Sequence, residues 1–107
     1  MKKITVKIDR PIGFVHHGAA YPLNYGFVPG LIGGDGEEQD VYVLSDLPEN
    51  QLPLTEFNGR LIAIIHRRDD NETKWVATTA GESFTAEEIA KRVSFMEKYF
   101  DSWIEML

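Results

Sequence analysis

The run Arg60-Leu61-Ile62-Ala63-Ile64-Ile65-His66 constrains the fold more than any other segment. A short apolar run rich in β-branched residues reads as a buried strand. Asp69-Asp70-Asn71-Glu72 follows as a polar turn, and Thr73 to Thr78 supplies the hairpin partner. Other extended segments join this hairpin. Ile4, Val6 and Ile8 share one face of a first strand, Ile4 to Ile8. Asp9 to Ala20, with Pro11, Gly13 and Gly18, reads as a loop, and Tyr21 to Leu31 as short extended pieces and turns. Gly33-Gly34-Asp35-Gly36 is a turn, Asp40 to Leu44 is β-prone, and Asp46 to Asn58 is irregular around Pro48 and Pro53.

The last third changes period. Thr85 with Glu88 fits a capping box, and Phe84 with Ile89 fits a hydrophobic staple. Ile89, Val93, Met96, Phe100, Trp103 and Leu107 then recur at spacings of four and three, which predicts one face of a long helix reaching the C-terminus. The expected fold is mainly β, a small barrel of about five strands with one long C-terminal helix.

A chain of 107 residues fits a single domain, 1–107. It has no cysteine, which excludes a disulfide framework and thiolate metal ligands. The N-terminus alternates instead of forming an apolar run, and no apolar run approaches a membrane-spanning length, so a soluble cytoplasmic protein is expected. The net charge of −6 argues against nucleic-acid binding, which needs an excess of Lys and Arg on one face. Exposed aromatics on a small barrel keep a single-strand-binding module as a minor alternative.

Chemistry concentrates in Asp35-Gly36-Glu37-Glu38-Gln39-Asp40. Four carboxylates fall within six residues, directly after two glycines. Such a cluster reads either as a solvated loop tip or as an oxygen-donor site for a hard cation such as Mg²⁺. Asp69-Asp70-Asn71-Glu72 with Lys74 has the same two readings, a good hairpin turn or a second acidic patch. His16 and His17 are either exposed loop residues or a metal or proton-transfer pair. His66, beside Arg67 and Arg68, reads first as structural.

Tyr21-Pro22-Leu23-Asn24-Tyr25-Gly26, followed by Asp35-Gly36-Glu37-Glu38-Gln39-Asp40-Val41, resembles the metal-binding signature of the soluble inorganic pyrophosphatases. The likeness covers the 24 residues from Tyr21 to Leu44, with weaker similarity from Gly59 to Val76 and in the terminal helix. It implies an OB-like barrel and Mg²⁺-dependent hydrolysis of pyrophosphate by a metal-activated water, with Mn²⁺ as an alternative ion. It implies metal ligands at Asp35, Glu37, Asp40, Asp69 and Glu72. Glu37 would also activate the water, and Lys74 would serve catalysis and phosphate binding. Tyr25, Arg60 and Tyr99 would bind phosphate, and Tyr21 would support the site or fill the core.

The chain also departs from that pattern. The family's hairpin upstream of the Tyr-Pro segment, with its glutamates, lysine and arginine, has only Asp9 to Ala20 in its place, and Lys7 stands where the first glutamate falls. Glu37 replaces an aspartate, and Phe100 replaces the lysine expected after Tyr99. Arg10 and His16 are the candidates to take over phosphate binding. The expectation is a small phosphate-containing substrate, either pyrophosphate or another phosphorylated compound, bound with or without turnover. Trp103, Ile104 and Leu107 either complete the core or form an interface between copies.

Overall fold

The computed structural model describes residues 2–107. β1 (Lys3–Arg10) alternates as expected, with Ile4, Val6 and Ile8 buried and Lys3, Thr5 and Lys7 exposed. The next segment, expected to be loop, holds a small hairpin of β2 (Val15–His16) and β3 (Ala19–Ala20). Its connection, His17-Gly18, has positive φ at both residues, 51° and 79°, as the favoured two-residue hairpin turns require. β4 (Asn24–Ile32) is one strand instead of several pieces. It absorbs Pro29 and Gly30 in a register shift between Phe27 and Ile32.

β5 (Glu38–Val43), β6 (Glu56–Arg67) and β7 (Thr73–Thr78) complete a closed barrel in the order β1-β4-β5-β7-β6, with β6 returning to β1. β5 and β7 run parallel; the other pairs are antiparallel. The stretch from Asp46 is irregular apart from a single 3₁₀ turn at Pro48–Asn50, but β6 starts at Glu56, so Glu56 to Asn58, expected to be irregular, pair with β1 instead.

Two apolar clusters share the sheet. Val41, Val43, Leu61 and Ala77 join Ile4, Val6 and Ile8 inside the barrel. Tyr42, Leu44, Ile65 and Val76 point the other way, onto Phe84, Ile89 and Val93. β5 and β7 are therefore covered on both faces, which is why Val41 to Leu44 is continuously apolar. In β6 a bulge between Leu61 and Ala63 switches the strand from the barrel interior to the outer cluster.

α1 (Ala86–Glu97) begins as predicted. The Thr85 side chain accepts from the Glu88 N–H, the Glu88 carboxylate accepts from the Thr85 N–H, and Phe84 and Ile89 are buried together. The helix is shorter than its apolar spacing predicted, and this corrects the expectation of a helix to the C-terminus. It tightens at its end, with Tyr99 N–H bonding to the Met96 carbonyl and Phe100 N–H to the Glu97 carbonyl. Residues Ser102–Met106 then form an antiparallel strand, β8, on β6. β1 leaves β6 at Lys3↔Arg60, with one last bond from the Leu61 N–H to the Lys2 carbonyl, so the edge of β6 beyond Leu61 needs another partner. β8 fills it from Ala63↔Met106 to Arg67↔Ser102. Ile104 packs on the outer cluster, Trp103 stacks on His66 at 4.4 Å, and Leu107 stays exposed. His66 also meets the Glu105 carboxylate at 2.8 Å, in keeping with its structural reading. Among the described residues no helix is long and apolar enough to cross a membrane.

Candidate functional site

The acidic turn and the β6–β7 turn meet at one pole of the barrel. Two features bring them together. Gly34 lies against the second turn so closely that a Cβ there would stand 2.9 Å from the Asn71 carbonyl oxygen. Gln39, buried, donates to the Thr73 carbonyl at 2.8 Å and accepts from the Thr73 hydroxyl at 3.2 Å. Asp35, Asp40 and Glu72 thereby converge, each offering a carboxylate oxygen within 4.8 Å of the others. Hard oxygen donors at this separation fit a divalent cation of the Mg²⁺ type. The Asp35 carboxylate also accepts from the Glu37 N–H at 3.0 Å, which fixes its orientation across the turn.

Lys74 anchors the group. Its ammonium donates to Asp40 at 2.6 Å, to Glu72, and to the Tyr25 hydroxyl at 2.9 Å. Burial works against the charge on Lys74, but Tyr25, Asp40 and Glu72 outweigh it and hold the ammonium above the ordinary lysine range. Burial likewise raises Tyr25, against the pull of Lys74. Lys74 therefore stays cationic, and Tyr25 stays a neutral hydroxyl.

A second cation joins the same face through a bulge. β1 and β4 pair Ile8 with Gly26 and then Arg10 with Tyr25, skipping Asp9. The extra residue turns Arg10 onto the face of Tyr25, with its guanidinium 5.7 Å from that ring. Arg10 then donates to the buried Tyr21 hydroxyl at 2.7 Å. Gly26 allows the close strand approach, since a Cβ there would lie 1.9 Å from the Lys7 carbonyl oxygen.

A model of the inorganic pyrophosphatase family matches residues 2–101. The chain belongs to this family. The inorganic pyrophosphatase of Saccharolobus solfataricus is 35% identical over 65 residues, 61% of this chain and 35% of that protein. That of Mycoplasma genitalium is 32% identical over 76 residues, 65% of this chain and 40% of its own length. The chain thus aligns with less than half the length of these relatives. The crystal structure of inorganic pyrophosphatase from Ehrlichia chaffeensis superposes with a TM-score of 0.74 at 19% identity, covering 98% of this chain and 86% of that one. At that identity the likeness speaks for the fold.

Within this pyrophosphatase-family fold, the candidates separate. Asp35, Asp40, Glu72, Lys74 and Tyr25 come together, with Arg10 beside them. Glu37 and Asp69 are exposed and lie outside the converging trio. Tyr99 is 71% exposed on the turn after α1, and His16 lies on the small β2–β3 hairpin. Arg60 is placed elsewhere, which corrects its assignment to phosphate. It pairs with Thr78 at the far end of β7 from Lys74, and its guanidinium donates to the Thr79 and Glu82 carbonyls. That is the work of a sheet-edge cap.

Sequence reading missed the support behind the site. Arg67 is almost fully buried. It donates to Glu97 through two nitrogens at 3.1 and 2.7 Å and to Glu72 at 2.9 Å, with the Phe100 ring 3.6 Å from its guanidinium carbon. Tyr42 and Ser102 donate to the same Glu97 carboxylate at 2.6 and 2.9 Å. Asn24, from the Tyr-Pro segment, is also buried. Its oxygen accepts from the Ile12 and Leu54 N–H groups and its nitrogen donates to the Asn50 and Leu52 carbonyls. Only the adjacency of Arg67 and Arg68 to His66 marked the first of these groups in the sequence.

Proposed function

We propose that the chain hydrolyses inorganic pyrophosphate to two phosphates with Mg²⁺, or Mn²⁺ in its place. The observation that carries this reading is the convergence of Asp35, Asp40 and Glu72 around Lys74 in a chain of this family. The three carboxylates would hold the cation. When bound, it supplies a Lewis acid that neutralises phosphoryl oxygens and makes water more acidic. The chain's own residues supply the rest. Lys74 keeps Asp40 and Glu72 in place and offers a fixed positive charge beside them. Arg10, held by Tyr21, offers a second positive charge on the same face. Two cations at fixed positions stabilise the charge that spreads over the phosphoryl oxygens in the transition state. Glu37, exposed next to Asp35, is the base that receives the proton of the attacking water. Water oxygen bonds to one phosphorus, the bridging P–O bond breaks, and the bridging oxygen leaves with the other phosphate.

Phosphate release from pyrophosphate, measured colorimetrically with the full chain, tests this. Release that depends on Mg²⁺ or Mn²⁺ is expected. Folded protein that releases no phosphate with either ion overturns the reading.

A further inference from the structure

A groove opens beside the charged pole, between the β2–β3 hairpin and the end of α1. It encloses about 500 Å³ and is lined by His16, His17, Tyr21, Phe95, Tyr99 and Phe100. This size and lining suit an organic ligand, since small-molecule sites span about 300 to 1,000 Å³ and are mainly apolar and aromatic. Inorganic pyrophosphate presents no apolar surface, so the exposed face of Tyr99 has no counterpart on it.

The groove is joined to the pole at two points. Tyr21 forms its floor, accepts from Arg10 at 2.7 Å, and packs against Tyr25 with ring centroids 5.8 Å apart; Tyr25 in turn meets Lys74. Phe100 forms another wall and lies over the Arg67 guanidinium, which holds Glu72. Arg10 thus touches the groove through Tyr21, so a ligand with a phosphate at Arg10 has its remainder beside the groove. Lys98 lies over the Tyr99 ring at 5.3 Å, and the His16 and His17 rings meet at 4.1 Å. Exposed Tyr99 and the paired imidazoles present flat faces suited to stacking an aromatic ring.

We infer that the groove receives the base of a nucleoside diphosphate or triphosphate, so that the substrate class of this site extends to phosphoanhydrides bearing an aromatic group. This rests on the phosphoanhydride reading proposed above. With a nucleoside diphosphate, water oxygen bonds to the terminal phosphorus and the bridging P–O bond breaks. The nucleoside monophosphate leaves with the bridging oxygen, and the water's proton passes to base or solvent.

Calorimetric titration of the full chain in Mg²⁺ with ADP and with methyl diphosphate, which lacks the ring, isolates the groove. ADP is expected to bind at least about tenfold tighter, the gain of one stacked base. Ala19 is exposed on β3 and lines the groove, so Ala19→Trp fills it; Tyr99→Ala removes a stacking wall. Each variant is expected to close the gap between the two ligands. ADP binding no tighter than methyl diphosphate, or a gap that survives in both variants, overturns the inference. Phosphate release from pyrophosphate is followed in parallel. Its absence overturns the hydrolase reading alone, because the groove is read from the ring-dependent difference in affinity.

Discussion

Glu37 shows how a single residue divides legible chemistry from illegible geometry. Its N–H fixes the Asp35 carboxylate, while its own carboxylate stands outside the trio formed with Asp40 and Glu72. A base role therefore fits it better than a ligand role. Glu37→Gln keeps the size and the backbone bond but removes the base. Steady-state kinetics should show kcat falling by about 100-fold or more, the usual contribution of a positioned base. An unchanged kcat would move the proton to another group. Asp35 and Asp40 could be read from the sequence because they lie close together along the chain, after glycines. Glu72 and Lys74 could be read because the resemblance places an acidic turn and a following lysine there, and the structure sets Glu72 just before β7 and Lys74 on it. Arg60 could not. It has the right charge on the right strand, but Arg60 pairs with Thr78 and Lys74 with Ile65. Four residues of strand separate them, about 13 Å at the usual rise. Charge type is local, whereas position along a paired strand depends on register.

At the scale of elements, the sequence placed the start of α1 but not its end. The cap at Thr85 is a local bond and shows in four residues. The end is set from outside, by the vacant edge of β6 that Ser102–Met106 fills. Apolar residues at Phe100, Trp103 and Leu107 kept a helical spacing by coincidence, and the alternation of Trp103, Ile104 and Glu105 served the strand. The join between helix and strand is held by Arg67, Glu97 and Ser102, residues up to 35 positions apart. Glu97 is 7% exposed, as is Arg67. Glu97→Gln leaves the guanidinium short of a counter-charge, and breaking a buried pair of this kind costs about 3 to 5 kcal/mol. Urea denaturation at neutral pH should show it. The pH dependence gives a second check. Burial alone would raise Glu97, but Arg67 and Tyr42 outweigh it and depress its pKa below the unfolded value of 4.5. The folded protein therefore holds this group's proton less tightly than the unfolded chain. The pair's stability is present above pH 4.5 and is lost as pH falls through the depressed value. Wild type should lose stability on acidification more steeply than Glu97→Gln. Parallel slopes would show that the pair is not the titrating element.

Across the whole molecule, the closed barrel carries an excess of negative charge, and part of it is gathered at one pole. The net charge is −6, and Asp35, Asp40 and Glu72 face one another there, with Lys74 between Asp40 and Glu72 and Arg67 behind Glu72. Lys74 and Arg67, which also holds Glu97, leave these carboxylates in excess, and their repulsion opposes the tight meeting of the two turns. A divalent cation held by the trio relieves that repulsion in the folded state alone, because the unfolded chain does not keep Asp35 beside Glu72. Linkage then gives a magnitude. Mg²⁺ at a hundred times its dissociation constant should add about 2.7 kcal/mol to folding stability. Thermal melts should rise with Mg²⁺, fall back with a chelator, and move little with NaCl at matched ionic strength, which screens charge without bridging it. Asp40→Asn separates the specific effect from the general one. It takes a counter-charge from the buried Lys74, so its melt without Mg²⁺ should start lower, and it removes a ligand, so it should flatten the Mg²⁺ response. A wild-type response that NaCl reproduces, or that survives intact in Asp40→Asn, would assign the acidic pole to solvated charge instead of a cation site.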